Sequence, residues 1–283
     1  MITYRDLNLS PAETFTGYEY GNEVDVLEYG DACTKMQSYL SQPPNLRDLP
    51  DEVDFTWHRQ ENQMRQGSCQ GHSLTSCMEG CYWIDSGGKT VDLSRNAGYR
   101  FSQLEDGISG DNGSTLSGGV KAARKGICAE DYFPYTETYS RRIPKVAYEN
   151  REKYRLVTAV PISKNDPAKQ VVNWIGSGKG FCAIGMKWTS EMDSQSKVTR
   201  YSGRGSGGGH AVAFLGYSLR NETIKLVNSW GYRWGKDGVK DVTFDAFNKM
   251  LRYGWNHGYL YSDLDDIEKK RDVPDFSIIG DVV

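Results

Sequence analysis

Along the 283 residues the spacing of apolar positions changes once, near residue 156. Before it they recur mostly at helical intervals. Leu74, Cys77, Met78 and Cys81 follow Ser68 at three- and four-residue steps, and Gly87-Gly88 closes the run. This pattern predicts an amphipathic helix from about residue 69 to about residue 83, with Ser68 as its N-cap. A second helix is predicted over residues 115–125, where Leu116, Val120 and Ala123 share a face and Gly126 ends it. After residue 156 the pattern changes to short apolar runs. Residues 156–160, 181–186, 210–217 and 223–227 read as strands, with one helix capped by Asp166-Pro167 between the first two. Helices followed by strands make an α+β chain.

Composition narrows the classes. With 38% hydrophobic and 25% charged residues the chain can bury a sizeable core, as one compact enzyme or two packed halves. A net charge of -3 and a pI near 5.9 give no case for nucleic acid. The longest apolar runs, such as 211–215, are too short to span a bilayer, and residues 1–6 do not open a signal peptide. The expectation is a cytoplasmic protein with no membrane partner, and its oligomeric state is not legible. Six cysteines fit no disulfide framework and favour a reducing compartment. Cys77 and Cys81, one helical turn apart, read as buried small hydrophobes. A zinc site made of Cys77, Cys81 and His72 is the competing reading, but its spacing is unlike usual ligand pairs. No metal or cofactor is expected.

Candidate chemistry gathers on three segments. Cys69 would sit at the positive end of the first helix, where unpaired N–H groups favour the thiolate. Of 4 histidines, His210 follows three glycines, which let the backbone come close to a reacting centre, and enters an apolar strand that would mount it rigidly. Asn228 lies eighteen residues further on, in Asn228-Ser229-Trp230-Gly231, where its amide could fix the imidazole tautomer. Cys, His and Asn in this order are the parts of an activated thiol. The blander readings are a buried structural thiol, a core histidine and a turn-forming asparagine. His58, His72 and His257 read as structural or exposed.

With these residues in view, the chain resembles the papain-like cysteine peptidases. Their Asn-Ser-Trp-Gly-x-x-Trp-Gly is matched by Asn228 to Gly235, and their His-Ala strand by His210-Ala211. Their Gln-Gly-x-Cys-Gly-Ser-Cys-Trp-Ala-Phe admits two registers. In one, the nucleophile position falls on His72 and the protein is a dead peptidase. In the register adopted here Cys69 is the nucleophile, Gln63 lies six residues before it, where the family keeps its oxyanion-hole glutamine, and Glu79-Gly80 falls on a frequent Glu-Gly. Leu49-Pro50-Asp51-Glu52-Val53-Asp54 resembles the opening of the mature domain. In this register Met64 stands for a glycine, Gln66 for a disulfide cysteine, Gln70 for tryptophan and His72 for phenylalanine. Residues 110–114, where the second disulfide cysteine would be expected, contain none.

The resemblance covers about residues 48–262 and implies a papain-like fold. A helical half with a long central helix (48–155) would pack on an antiparallel β-barrel-like half (156–262), with the active site in the cleft between them. It further implies Cys69, His210, Asn228 and Gln63 as catalytic residues of a cysteine endopeptidase acting on polypeptides through a thioester. Asp111-Asn112-Gly113-Ser114 resembles the Asn-Gly-Gly segment whose backbone pairs with extended substrate. Gly113 carries that match and Ser114 departs from it; with Gly209 and Trp230 they are the substrate-binding residues the resemblance implies. The alternatives are a weak or inactive binding protein on the same fold, motivated by Gln70 and His72, and an acyltransferase of transglutaminase type. Residues 1–47 read as an extension packed on the body or covering the cleft. Residues 263–283 read as a charged tail that is solvated or docks through Phe276, Ile278 and Ile279.

Overall fold

The computed structural model describes residues 45–262 apart from 157 and 206. The two terminal segments and the readings placed on them, Cys33 among them, lie outside the described residues. A two-residue strand β1 (Glu52–Val53) comes first, followed by α1 (Cys69–Asp85), α2 (Arg95–Asp106), α3 (Leu116–Lys125) and a short α4 (Lys145–Glu149). Then come β2 (Thr158–Pro161), α5 (Pro167–Gly176), β3 (Phe181–Lys187), α6 (Ser190–Ser194), β4 (Gly209–Ser218) and β5 (Thr223–Val227). β6 (Val239–Thr243), α7 (Phe244–Arg252) and β7 (His257–Ser262) complete the order.

All strand pairs are antiparallel, in the order β2-β7-β3-β4-β5-β6. β1 pairs with Tyr217 and Ser218, taking the side of β4 that β3 leaves. The sheet does not close, so the expected barrel-like half is an open antiparallel sheet among the described residues. The chain is α+β as expected. β1, β6, β7, α2, α4, α6 and α7 are additional to the elements read from the sequence, and none of the described helices is long and apolar enough to cross a membrane.

α1 holds the molecule together and corrects one expectation. It is not amphipathic: fifteen of its residues are buried, Gln70, His72, Thr75 and Glu79 included. One side packs on α2, so closely that a Cβ on Gly71 would lie 2.6 Å from the Tyr99 backbone nitrogen. Near its end the ring of Phe181 and the Trp57 side chain close on Gly80. Gln70, His72, Thr75 and Glu79 each have at least one partner inside the protein. Glu79 accepts from the Leu93 backbone N–H at 2.8 Å and takes both terminal nitrogens of Arg95, at 2.5 and 2.9 Å. Such a forked ionic pair satisfies charges that could not otherwise be buried.

Caps differ from expectation at two helices. Ser68 precedes α1 but makes no side-chain cap, and Asp166, left-handed at φ 49°, opens α5 without one, leaving Pro167 to pre-set the first turn. Thr115 does cap α3, accepting from the Gly118 N–H, and Gly126 ends it. Cys77 and Cys81 are buried in the core, as the hydrophobic reading expected.

Candidate active site

The loop leading into α1 is fastened to the segment after β5. The Gln63 N–H donates to the Ser229 carbonyl at 2.7 Å, the Gly231 N–H donates to the Glu61 carbonyl at 2.9 Å, and Asn62 bridges Trp230. The Gln63 side chain is held at both ends. Its Oε1 accepts from Ser229 Oγ at 2.6 Å, and its Nε2 donates to the Gln66 carbonyl at 3.0 Å. Beneath it runs a relay in which Tyr135 Oη donates to the Gln63 carbonyl at 2.8 Å and is 2.7 Å from Ser68 Oγ. The Ser68 hydroxyl serves this relay instead of the helix cap. Cys69 follows as the first residue of α1, buried at the helix N-terminus.

His210 enters from the other side, near the start of β4, where it is paired with Met186 of β3. Its approach needs a backbone without side chains, because a Cβ on Gly207 would run into the Trp188 carbonyl. The ring lies against Trp230, centroids 4.7 Å apart at 30°, and meets Trp188 edge-on at 4.8 Å. Asp193 fixes this aromatic box, accepting from Trp188 Nε1 and Trp234 Nε1, each at 3.1 Å.

His210 Nε2 is 2.8 Å from Asn228 Oδ1, and the same oxygen accepts from the Ser229 backbone N–H at 2.8 Å. The second bond settles the chemistry of the first. A backbone N–H can only donate, so the Asn228 atom facing it is oxygen, and His210 Nε2 must carry the proton. The neutral ring then leaves Nδ1 as a bare acceptor. Burial holds the imidazole at about 4 against the opposing hydrogen bond from Asn228, so it is neutral at pH 7.

Gly113 has a left-handed φ of 79°, and both its backbone groups are engaged: its N–H donates to Tyr99 Oη at 3.0 Å and its carbonyl accepts from Gln103 Nε2 at 2.8 Å. Gly113 is therefore built into the wall, and it is Ser114, next along, whose hydroxyl reaches the first turn of α1 through Gln70 Oε1 at 2.8 Å. Where the family signature has a disulfide, Asp111 Oδ1 accepts from the Gly67 backbone N–H and from Tyr99 Oη, both at 2.9 Å. Gln66 itself donates to the Thr136 carbonyl. His72, the rival nucleophile position, is buried one turn into α1, with Nδ1 3.0 Å from the Ser68 carbonyl and its ring edge-on to Tyr135.

A profile of the papain family cysteine proteases matches residues 49–250. The chain belongs to that family. As a papain-family cysteine peptidase it is a hydrolase, and its substrates are polypeptides. It is 25% identical over 264 residues to the viral cathepsin of Cydia pomonella granulosis virus, covering 86% of this chain and 72% of that one. It is 27% identical over 159 residues to an uncharacterized peptidase C1-like protein of Acanthamoeba polyphaga mimivirus, covering 52% of this chain and 51% of that one. In fold it is similar to xylellain, a cysteine protease from Xylella fastidiosa, with a TM-score of 0.69 at 18% identity, covering 90% of this chain and 99% of xylellain. Digestive procathepsin L 3 of Tenebrio molitor larval midgut gives 0.64 at 19% identity over 78% of this chain and 71% of that one.

Several residues of this papain-family site escape a sequence reading. Trp188 follows directly on β3, two residues past the predicted strand, and only the pairing of β3 with β4 brings it to His210. Tyr135 and Asp193 act across 72 and 41 positions of sequence, respectively, on Gln63 and Trp234. Ser229 stood within a recognised motif, so its hydroxyl was the one signal available.

Proposed function

We propose that this papain-family chain is a cysteine endopeptidase that hydrolyses peptide bonds through a thioester, with Cys69 as nucleophile, His210 as base and acid, Asn228 as the residue that orients the ring, and Gln63 as oxyanion donor. The observation that carries this reading is the Asn228 amide, fixed by the Ser229 N–H so that His210 keeps its proton on Nε2 and offers Nδ1. In the proposed reaction the Cys69 thiol passes its proton to Nδ1. The sulfur's negative charge then offsets the burial that otherwise disfavours imidazolium. The thiolate adds to the peptide carbonyl, and the oxyanion is stabilised by Gln63 Nε2 and the Cys69 N–H at the start of α1. His210 protonates the leaving amine and then takes a proton from the water that splits the thioester, restoring the thiol.

Ser114, Gly209 and Trp230 are proposed to line the substrate path, with Gly113 supporting Ser114 from behind. In the same reading residues 48–155 and 156–262 are the two walls of the cleft, and a reducing compartment such as the cytoplasm suits five cysteines buried without disulfides among the described residues.

The test is labelling with an irreversible thiol-directed epoxide, followed by peptide mapping and assay of Cys69→Ala on a peptide library. Label on Cys69 together with loss of hydrolysis in the variant is the expected result. Full hydrolysis by Cys69→Ala overturns the assignment.

A further inference from the structure

Between α1, the start of β4 and the segment after β5 lies a small pocket, with about 10 Å³ available to the centre of a water, bordered by His58, Glu61, His72, Ser76 and Asn228 among others. Three polar atoms of these residues are shut off from solvent and have no hydrogen-bond partner in the protein: His58 Nδ1, His72 Nε2 and Asn228 Nδ2. A buried polar atom left unpaired is destabilising, because it gives up its bonds to water and gains none. A space of this size with two to four polar neighbours is what one ordered water requires.

The hydrogen-bonding capacities match. His72 Nδ1 lies 3.0 Å from the Ser68 carbonyl, which only accepts, so Nδ1 holds the proton and Nε2 is a bare acceptor. Burial keeps this ring neutral, holding it at about 3. Asn228 spends Oδ1 on His210 and Ser229, which leaves Nδ2 as a donor. A water that accepts from Nδ2 and donates to Nε2 satisfies both, and either its second hydrogen or its second lone pair serves His58 in whichever tautomer that ring adopts.

We propose that His72 is a positioning residue, which through one buried water holds the Asn228 amide and so the ring of His210. This rests on the reading of Asn228 given above. The phenylalanine that the papain-like signature has at this position offers no acceptor, so the device belongs to this chain's own sequence.

The first test is a crystal structure of the full chain at a resolution that shows ordered water. Density within hydrogen-bonding distance of both His72 Nε2 and Asn228 Nδ2 is expected, and its lack overturns the proposal. The second is kinetic. His72→Phe removes the acceptor and should lower kcat between about ten- and a hundredfold with KM little changed, as loss of orientation does. His72→Gln, which restores an acceptor, should recover most of that loss. An unchanged kcat in His72→Phe, or an equal loss in both variants, overturns the proposal. In an Asn228→Ala background the His72→Phe effect should vanish, because both act through one chain of contacts; a fully additive effect also overturns it. Should Asn228→Ala alone leave turnover intact, the orienting role of Asn228 fails, and the positioning role fails with it.

Discussion

Ser114 donates its hydroxyl to Gln70 Oε1 at 2.8 Å, which joins the glycine-bearing wall before α3 to the residue directly after Cys69. The Gln70 Nε2, pressed against Gly119, has no hydrogen-bond partner, so the amide is half satisfied. Ser114→Ala would leave the oxygen unpaired as well. We expect a loss of about 1–3 kcal/mol in urea unfolding, and a raised KM for peptide substrates as the wall loosens. An unchanged KM would separate Ser114 from the substrate path.

Gln63 is held by Ser229 through its oxygen and by Gln66 through its nitrogen. Gln63→Ala should lower kcat by about 10²–10³, the usual consequence of removing one oxyanion donor. Circular dichroism and thiol labelling of Cys69 should stay as in the parent. Turnover within a few-fold of the parent would rule out the oxyanion role.

Burial holds His72 and His58 at about 3, with Arg95 a further contributor at both. The unfolded rings take up a proton near pH 6.5. Between those values the unfolded chain binds more protons, so this part of the stability is present above pH 6.5 and falls as the pH drops, by up to about 1.4 kcal/mol per pH unit for each ring. Buried carboxylates such as Glu130, raised by burial to about 7, pull the opposite way. The quantity to read is therefore the difference between parent and His72→Phe in denaturant titrations at pH 4, 5 and 6. The variant should lose stability with a slope shallower by one proton, and equal slopes would contradict a neutral His72.

Gly71 lets α1 lie on α2, with the Tyr99 backbone nitrogen 2.6 Å and Cα 2.9 Å from where a methyl would stand. Backbone cannot swing aside as a side chain can. Gly71→Ala should destabilise by several kcal/mol, at or beyond the upper end of about 1–3 kcal/mol for overpacked cores. A midpoint within a degree or two of the parent would mean that the helices can part.

How much of this was legible depends on the range over which each residue acts. Cys69, His210 and Asn228 stand in local patterns whose residue types and spacing single them out as candidates, whereas Gln63 was singled out only by the papain-like resemblance in the register that makes Cys69 the nucleophile. Trp188 reaches His210 only because β3 and β4 pair as Met186 with His210, a register that no short window contains. α1 misled for another reason. Its apolar stripe is real, but Gln70, Thr75 and Glu79 on its other faces find partners inside the protein, and a polarity pattern takes such residues for a solvent face. β7 lies between β2 and β3, far from both in sequence, so its place depended on long-range pairing.

Asp111 carries two bonds that a sequence pattern could not show, to the Gly67 N–H and to Tyr99 Oη. Asp111→Ala orphans both donors and should lower stability by about 1–3 kcal/mol, read as a lower midpoint in urea. Asp111→Asn, which keeps an acceptor oxygen, should recover part of the loss.

The same carboxylate has a consequence for how the protein matures. Because the Asp111 carboxylate is hydrogen-bonded to Gly67 where the papain-like signature led to the expectation of a sulfur cross-link, this contact forms without an oxidation step, and reductants such as glutathione or dithiothreitol have no bond there to break.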